Sequence, residues 1–381
     1  MPSIAPHVDE MPRSGIRAIM DLAWQLTDPV IGLHVGEPSF PTAPHILEAV
    51  ADAVLKGNTR YVPNAGLPAL REAIGAKVRT RNGIDAADEQ VIVTAGGMQG
   101  LHLALAAVVS AGDEVLVPDP GWPNFAMVVQ LLQATPVRYE LRAERGFQPD
   151  PEELARLVSP RTRAILVNSP ANPLGAVTPE PLVRRLVGFA AEHDLWLVSD
   201  ECYESFTFGV PHVSPAAYDT DGRVLSCFSF SKTYAMTGVR VGYLITPPRL
   251  APVCAKLQEP LIACVNAGAQ FGALAALTGP QDQVDEARET YQGRRDAAMA
   301  LLDEAGVRYL RPEGAFYLWL DVADRCGDDV TDWAVRLLRD RGVAVAPGTT
   351  FGPGGEGWVR VCTATATDDL LEGLRRLVAY H

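Results

Sequence analysis

Residues 91–122 read VIVTAGGMQGLHLALAAVVSAGDEVLVPDPGW. Two short runs rich in Val, Ile and Leu, VIVTA and EVLVP, flank the apolar-periodic stretch MQGLHLALAAVV. Runs of this length bounded by Gly, Asp and Pro read as buried strands, and the stretch between them reads as a helix. Strand, helix, strand with both strands apolar throughout is the unit of a mostly parallel sheet covered on both faces. The pattern extends outward in both directions. Before it lie two helical stretches, HILEAVADAVLKG (45–57) and LPALREAIGAKVRTRNG (67–83). After it come five more strand-like runs: TPVRYEL, AILVNSP, LWLVSDE, VLSCFSFS and VGYLIT. Seven strands with intervening helices predict a large α/β unit over 45–280.

Beyond TGPQDQ (278–283) the character changes. A long helix is expected in EARETYQGRRDAAMALLDEAG, then strands in GAFYLWLDV, GVAVAPG and GWVRVCT, and a closing helix in DDLLEGLRRLVAYH. These predict a smaller α+β unit over 281–381, with residues 1–44 as an arm packed against it. The chain has 381 residues, 48% hydrophobic and 21% charged, with a formal net charge of -13. That balance argues against nucleic acid, whose phosphates require clustered Lys and Arg. The six cysteines, at 202, 227, 254, 264, 326 and 362, form no CxxC pair and have no His at metal-ligand spacing, so they read as reduced thiols. No apolar signal core or membrane-length run occurs, and the reading expects a cytoplasmic protein without a metal.

Ligands in parallel sheets sit beyond the carboxyl ends of strands. The polar residues there are Gly96 and Gly97, Asp119 to Trp122, Asn168 to Asn172, Asp200 to Tyr203, and Ser229 to Lys232. Gly96 and Gly97 before a helix suit a phosphate, because helix N-terminal amides bind anions and glycine lets the backbone approach. Arg240 stands among Val239, Val241 and Gly242, and Arg360 stands in the alternating WVRV; an arginine in apolar surroundings needs a partner. Each residue also has a purely structural reading. Lys232 could be a solvated lysine, Asp200 a helix N-cap, Tyr203 and Trp122 core aromatics, Asn172 an Asx turn, Gly96–Gly97 a tight turn, Arg240 a surface charge, and Arg360 an exposed edge residue.

The ordered set of motifs resembles the class I aminotransferases of the pyridoxal-phosphate (PLP) fold type I superfamily. The set is GEPSF (36–40), RYVPNAG (60–66), TAGGMQGL (94–101), DPGW (119–122), NSPANPLG (168–175), SDECY (199–203), SFSKTYAMTGVRVGY (229–243) and WVRV (358–361). The resemblance implies that Lys232 forms the Schiff base with PLP and then shuttles a proton. It implies that Asp200 pairs with the pyridine nitrogen, that Tyr203 and Asn172 bond the cofactor's phenolic oxygen, and that Trp122 stacks on the ring. Gly96, Gly97, Met98, Ser229 and Arg240 would surround the phosphate end, and Tyr61 would reach the cofactor of a second subunit in a homodimer. Arg360 would hold the substrate α-carboxylate, with Gly36, Trp122 and Asn172 around the substrate.

One position departs from the pattern. Where aspartate-specific relatives commonly carry GGK, this chain carries Met98, and a thioether cannot pair a second carboxylate. The expected amino donor therefore has a neutral or apolar side chain, unless Arg13 or Arg17 supplies the missing charge. Competing readings on the same fold are aspartate aminotransferase proper, a C–S β-lyase, or an enzyme of secondary metabolism. A PLP-sensing regulator is disfavoured by the acidic balance and by a pattern that starts almost at residue 1, and an inactive scaffold by the complete set of site residues.

Overall fold

All seven apolar runs enter one sheet. The computed structural model describes residues 2–380; His381, the last letter of the expected closing helix, and Met1 lie outside the described residues. Strand β1 (Ile31–Gly32) precedes the large sheet. That sheet comprises β2 (Val91–Thr94), β3 (Glu114–Asp119), β4 (Thr135–Glu140), β5 (Thr162–Asn168), β6 (Trp196–Asp200), β7 (Val224–Ser229) and β8 (Gly242–Ile245), in the order β2-β8-β7-β6-β5-β3-β4. Neighbours run parallel from β7 through β4, whereas β8 is antiparallel to both β2 and β7. The direction of β8 suits its connection: a parallel return usually runs through a full crossover helix, and only the single-turn helix Phe230–Thr233 lies between β7 and β8. β4 is an edge strand and shows it, with an exposed and half-buried pattern and Pro136 within it.

Helices pack on both faces. Pro44–Leu55 and Pro68–Arg81 each begin with proline in the first turn, where its missing N–H is harmless. Ala267–Thr278 is capped by Asn266, whose side chain accepts from the Ala269 N–H. One core, including Leu103, Val117, Leu166 and Val198, fills one face; a second, including Ile74, Val93, Phe228 and Tyr243, fills another part.

The chain breaks at residues 279–281 before the helix Asp282–Glu304. Next come β9 (Tyr309–Leu310), β10 (Tyr317–Asp321), β11 (Val343–Ala344), β12 (Ala346–Pro347) and β13 (Trp358–Cys362), with β12-β13-β10-β9 forming an antiparallel sheet. The expected single strand GVAVAPG is divided. β11 pairs in parallel with β1, and after Val345 the chain turns into the other sheet as β12. β1 pairs with β11, and Ile19 and Leu33 are buried in the core of Trp333, Leu338 and Leu374.

Beneath the large sheet lies a polar cluster. Lys77 pairs with the Glu204 carboxylate and donates to Asn82 Oδ1 at 2.9 Å, with its ammonium 4.6 Å from the centre of the Phe228 ring. Asn82 in turn donates to Glu204 Oε2 at 2.6 Å and to Ser214 Oγ at 3.0 Å. Burial alone would raise the Glu204 pKa, but Lys77 and His212 together with the Asn82 hydrogen bond pull it below the ordinary carboxylate value. Removing one member of such a pair leaves a buried charge unmatched. Lys77→Met is expected to destabilise the fold by about 3 kcal/mol, measurable as a lower denaturant midpoint. An unchanged midpoint would show the cluster to be energetically idle.

Candidate functional site

The carboxyl ends of β2, β3, β5, β6 and β7 open onto a cavity of about 370 Å³. It is lined by Gly36, Gly97, Met98, Trp122, Asn172, Asp200, Tyr203, Ser229, Lys232, Arg240 and Arg360 from the sequence reading. Gly96 sits one residue behind this lining. Tyr61 does not line the cavity; its side chain stands out from the surface at 89% exposure. Arg13 and Arg17 are both exposed and do not line the cavity, although their neighbour Ile16 does.

Lys232 lies in the one-turn helix Phe230–Thr233 directly after β7, and its Nζ donates to the Gly36 carbonyl at 2.7 Å. Burial lowers its pKa below the ordinary lysine value, and the Arg360 charge acts in the same direction. The downward shift enlarges the share of the free amine relative to an exposed lysine, the form that attacks an aldehyde or takes up a proton. Asp200 ends β6 and accepts from the Cys202 N–H at 3.1 Å. Burial, reinforced by the charge of Glu201, pushes its carboxyl up to about 7 against the pull of that N–H and of Lys232. A buried carboxyl so poorly compensated is suited to a cationic partner.

At one end of the cavity Gly96 adopts φ +80, the left-handed region that favours glycine, and a Cβ there would come within 2.5 Å of Arg240 Nη2. The helix Gly97–Ala106 starts at this point and directs its unpaired first-turn N–H groups the same way. Ser229 Oγ accepts from the Ser231 N–H at 3.1 Å, which leaves its hydroxyl proton free to donate. Glycines, helix N-terminus, hydroxyl and guanidinium together form an anion cradle.

At the other end Arg360 is 1% exposed. It donates to Asn172 Oδ1 at 2.8 Å and to the His34 carbonyl, and its guanidinium lies 4.4 Å from the centre of the Tyr317 ring and 4.9 Å from that of Phe351. Its Nε has no partner. Accepting from Arg360 turns the NH₂ end of Asn172 into a donor for whatever the cavity holds. Trp122 forms part of the wall and meets Phe125 edge-on at 5.6 Å. Its loop is fixed by Gly121 N–H to Phe351 O at 2.8 Å and Gly354 N–H to Asp119 Oδ1 at 3.1 Å. The Met98 sulfur accepts from Asn124 Nδ2 at 3.3 Å. Among the described residues the cations lining the cavity are Lys232, Arg240 and Arg360.

The donor set fits a phosphorylated pyridine aldehyde. The free amine suits the aldehyde, the buried acid suits the ring nitrogen, and the cradle suits the phosphate. Several lining residues escaped the sequence reading. Tyr317 reads as one letter of a core strand; Asn124 opens the helix Asn124–Leu131, and Ile16 comes from the N-terminal arm. Leu101, Cys202, Ser231 and Thr237 carried a local signal, since they stand inside TAGGMQGL, SDECY and SFSKTYAMTGVRVGY beside named site residues.

The family model "Aminotransferase class I and II" matches residues 28–377. A probable aspartate/prephenate aminotransferase of Aquifex aeolicus is 39% identical over 357 residues, covering 91% of this chain and 90% of its own length. Aromatic-amino-acid aminotransferase 2 of Thermococcus litoralis is 36% identical, covering 98% of this chain and 97% of its own. The solved structure of aspartate aminotransferase from Thermus thermophilus with maleate superposes with a TM-score of 0.95 at 37% identity, covering 99% of both chains.

Proposed function

Because the chain belongs to the class I and II aminotransferase family and is a PLP-dependent enzyme of fold type I, we propose that it transfers the amino group of an L-amino acid with a neutral or apolar side chain to a 2-oxo acid. When bound, PLP supplies an aldehyde for amines and a ring that accepts electrons from the carbon bearing the amino group. Lys232 would hold it, and its amine, once freed, would take the proton from the substrate Cα and deliver it to the carbon that was the cofactor's aldehyde. Asp200 would face the ring nitrogen and keep it protonated, which relieves the acid's own desolvation. Gly96, Gly97, Ser229 and Arg240 would bind the phosphate, with Met98 beside them, and Trp122 would cover the ring. Tyr203 and Asn172 would bond the phenolic oxygen. Arg360 would orient the substrate by two parallel hydrogen bonds to its carboxylate, with Gly36 leaving space.

The substrate preference rests on one observation: the position beside the cavity wall is filled by a Met98 sulfur bonded to a neutral amide, Asn124. A second carboxylate there would lose its hydration with no cation in return. The relatives' names divide between aspartate/prephenate and aromatic substrates, so aspartate is the second reading. We expect methionine, leucine or phenylalanine to exceed aspartate in kcat/KM, and Met98→Lys to raise kcat/KM for aspartate by about tenfold or more. A clear preference of the unaltered protein for aspartate would refute this assignment. Ammonia and pyruvate as main products, instead of a 2-oxo acid and the aminated cofactor, would favour the lyase reading.

The working unit in this reading is a cytoplasmic homodimer. Residues 45–280 bind the cofactor, and residues 1–44 with 281–381 form the smaller unit. Support for the dimer comes from Tyr61, exposed and outside the lining of its own cavity, and from exposed Leu47, Val54 and Leu55 on the helix Pro44–Leu55. A monomeric mass in solution would contradict it. Among the described residues no helix is long and apolar enough to cross a membrane.

A further inference from the structure

Tyr317 has no role in the function proposed above, yet it touches both halves of the site. Its hydroxyl lies 2.7 Å from that of Tyr203, and its ring lies under the Arg360 guanidinium, 4.4 Å away. A Cβ on Gly36 would collide with the Tyr317 hydroxyl, so that oxygen also borders the space next to Arg360. Both phenols are buried, at 4% and 1% exposure. Burial raises the pKa of each, for Tyr203 reinforced by Tyr317 and for Tyr317 opposed by Arg360, so both are neutral in the physiological range. The other titratable or charged groups facing them are Arg360 and Cys362 on β13 and Cys202 beside Tyr203; Lys232, with Glu37 near it, stands in the same cavity. Burial pushes the Cys202 thiol up to about 12 and raises that of Cys362, so neither thiol supplies charge.

Two neutral phenols carry two protons, and one of these lies in the bond between them. Only one oxygen of the pair therefore has a proton to offer the cavity. If Tyr317 donates, Tyr203 is free to donate toward the cofactor's phenolic oxygen. If Tyr203 donates, the free proton belongs to Tyr317, on the side of Gly36 and Arg360. Negative charge attracts that proton: a carboxylate held by Arg360 favours the second arrangement, and the cofactor's phenolate alone favours the first.

We propose that Tyr317 is a positioning residue whose hydroxyl directs the Tyr203 proton, so that filling the Arg360 carboxylate site weakens the Tyr203 hydrogen bond to the cofactor. The inference rests on the PLP site proposed above. It couples substrate arrival to the electronic state of the cofactor, alongside the direct Arg360–Asn172 bond.

The test uses the PLP-loaded protein and the pH midpoint of its visible absorption change, with and without saturating hydrocinnamate, a carboxylate that has no amine to react. In the unaltered protein the midpoint should rise on adding hydrocinnamate, by about half to one pH unit. Tyr317→Phe keeps the ring beneath Arg360 and removes one oxygen. It should reduce that response by half or more. Tyr203→Phe should do the same, and the double variant should add nothing to Tyr203→Phe alone, as two members of one relay require. Should Tyr317→Phe respond to hydrocinnamate as the unaltered protein does, Tyr317 is only packing and the inference is overturned, with the PLP site intact. An unaltered protein that takes up PLP without a visible band overturns both.

Discussion

Lys232→Ala is expected to lower kcat for amino transfer by at least about 10³-fold, because in the proposed function this one side chain would both hold the aldehyde and move the Cα proton. The fold should survive. In the structure the amine makes a single hydrogen bond, to the Gly36 carbonyl, and removing it relieves a buried basic group whose pKa burial already depresses. Reduction with borohydride followed by peptide mass measurement separates a covalent role from a merely electrostatic one. The unaltered protein should gain the cofactor mass on the peptide containing residue 232, and the variant should not. A variant that retained full turnover would remove the basis for the whole site.

Asp200→Asn should produce effects of opposite sign on stability and on activity. In the cofactor-free protein this carboxyl titrates at about 7, displaced from 3.8 first by burial and then by Glu201. Between those values the folded chain retains a proton that the unfolded chain has released. Stability therefore falls as pH rises through this window, and the loss is complete above about pH 7. At about 1.4 kcal/mol per tenfold change the penalty is on the order of 4 kcal/mol. An amide does not ionise, so cofactor-free Asp200→Asn should melt several degrees higher than the unaltered protein at pH 8 and about equally at pH 4. Loaded with PLP the order should reverse: the unaltered protein gains an ion pair that the variant lacks, and the variant's kcat should fall by about 10² or more. Melting curves at both pH values, with and without PLP, check the sign. Parallel pH dependence in the two proteins would mean that Asp200 is not the strained acid described here.

The two variants act on residues that the sequence made legible for a common reason. Lys232, Asp200, Gly96 and Ser229 each stand just beyond, or at the end of, a short apolar run, and a sheet gathers such ends at one edge. Tyr317 and Asn124 could not be found that way. Tyr317 lies inside β10, opposite Cys362 in register, and reaches the cavity through contacts remote in sequence, with Tyr203 and next to Gly36. Asn124 follows Trp122 by two residues but reads as the first letter of a helix, and Ile16 arrives from the distant N-terminal arm. Nor does an apolar run disclose its direction: VGYLIT has the composition of its parallel neighbours and runs against them. The division of GVAVAPG at Val345 was hidden similarly, since both halves are fully buried and differ only in their partners.

The reversal of β8 has a structural return. The parallel strands deliver their last residues to the working edge of the sheet, whereas a reversed strand delivers its first. Arg240, two residues before β8, thus meets Gly96 after β2 and Ser229 at the end of β7, although only eleven positions separate it from Ser229. A single hairpin-like excursion brings the Ser229 hydroxyl, the Lys232 amine and the Arg240 guanidinium to one cavity. The side-chain half of the grip on an anion is in this respect a local property of residues 229–242, and lengthening the Thr233–Val239 loop would be the most direct way to part it from the helix N-terminus at Gly97.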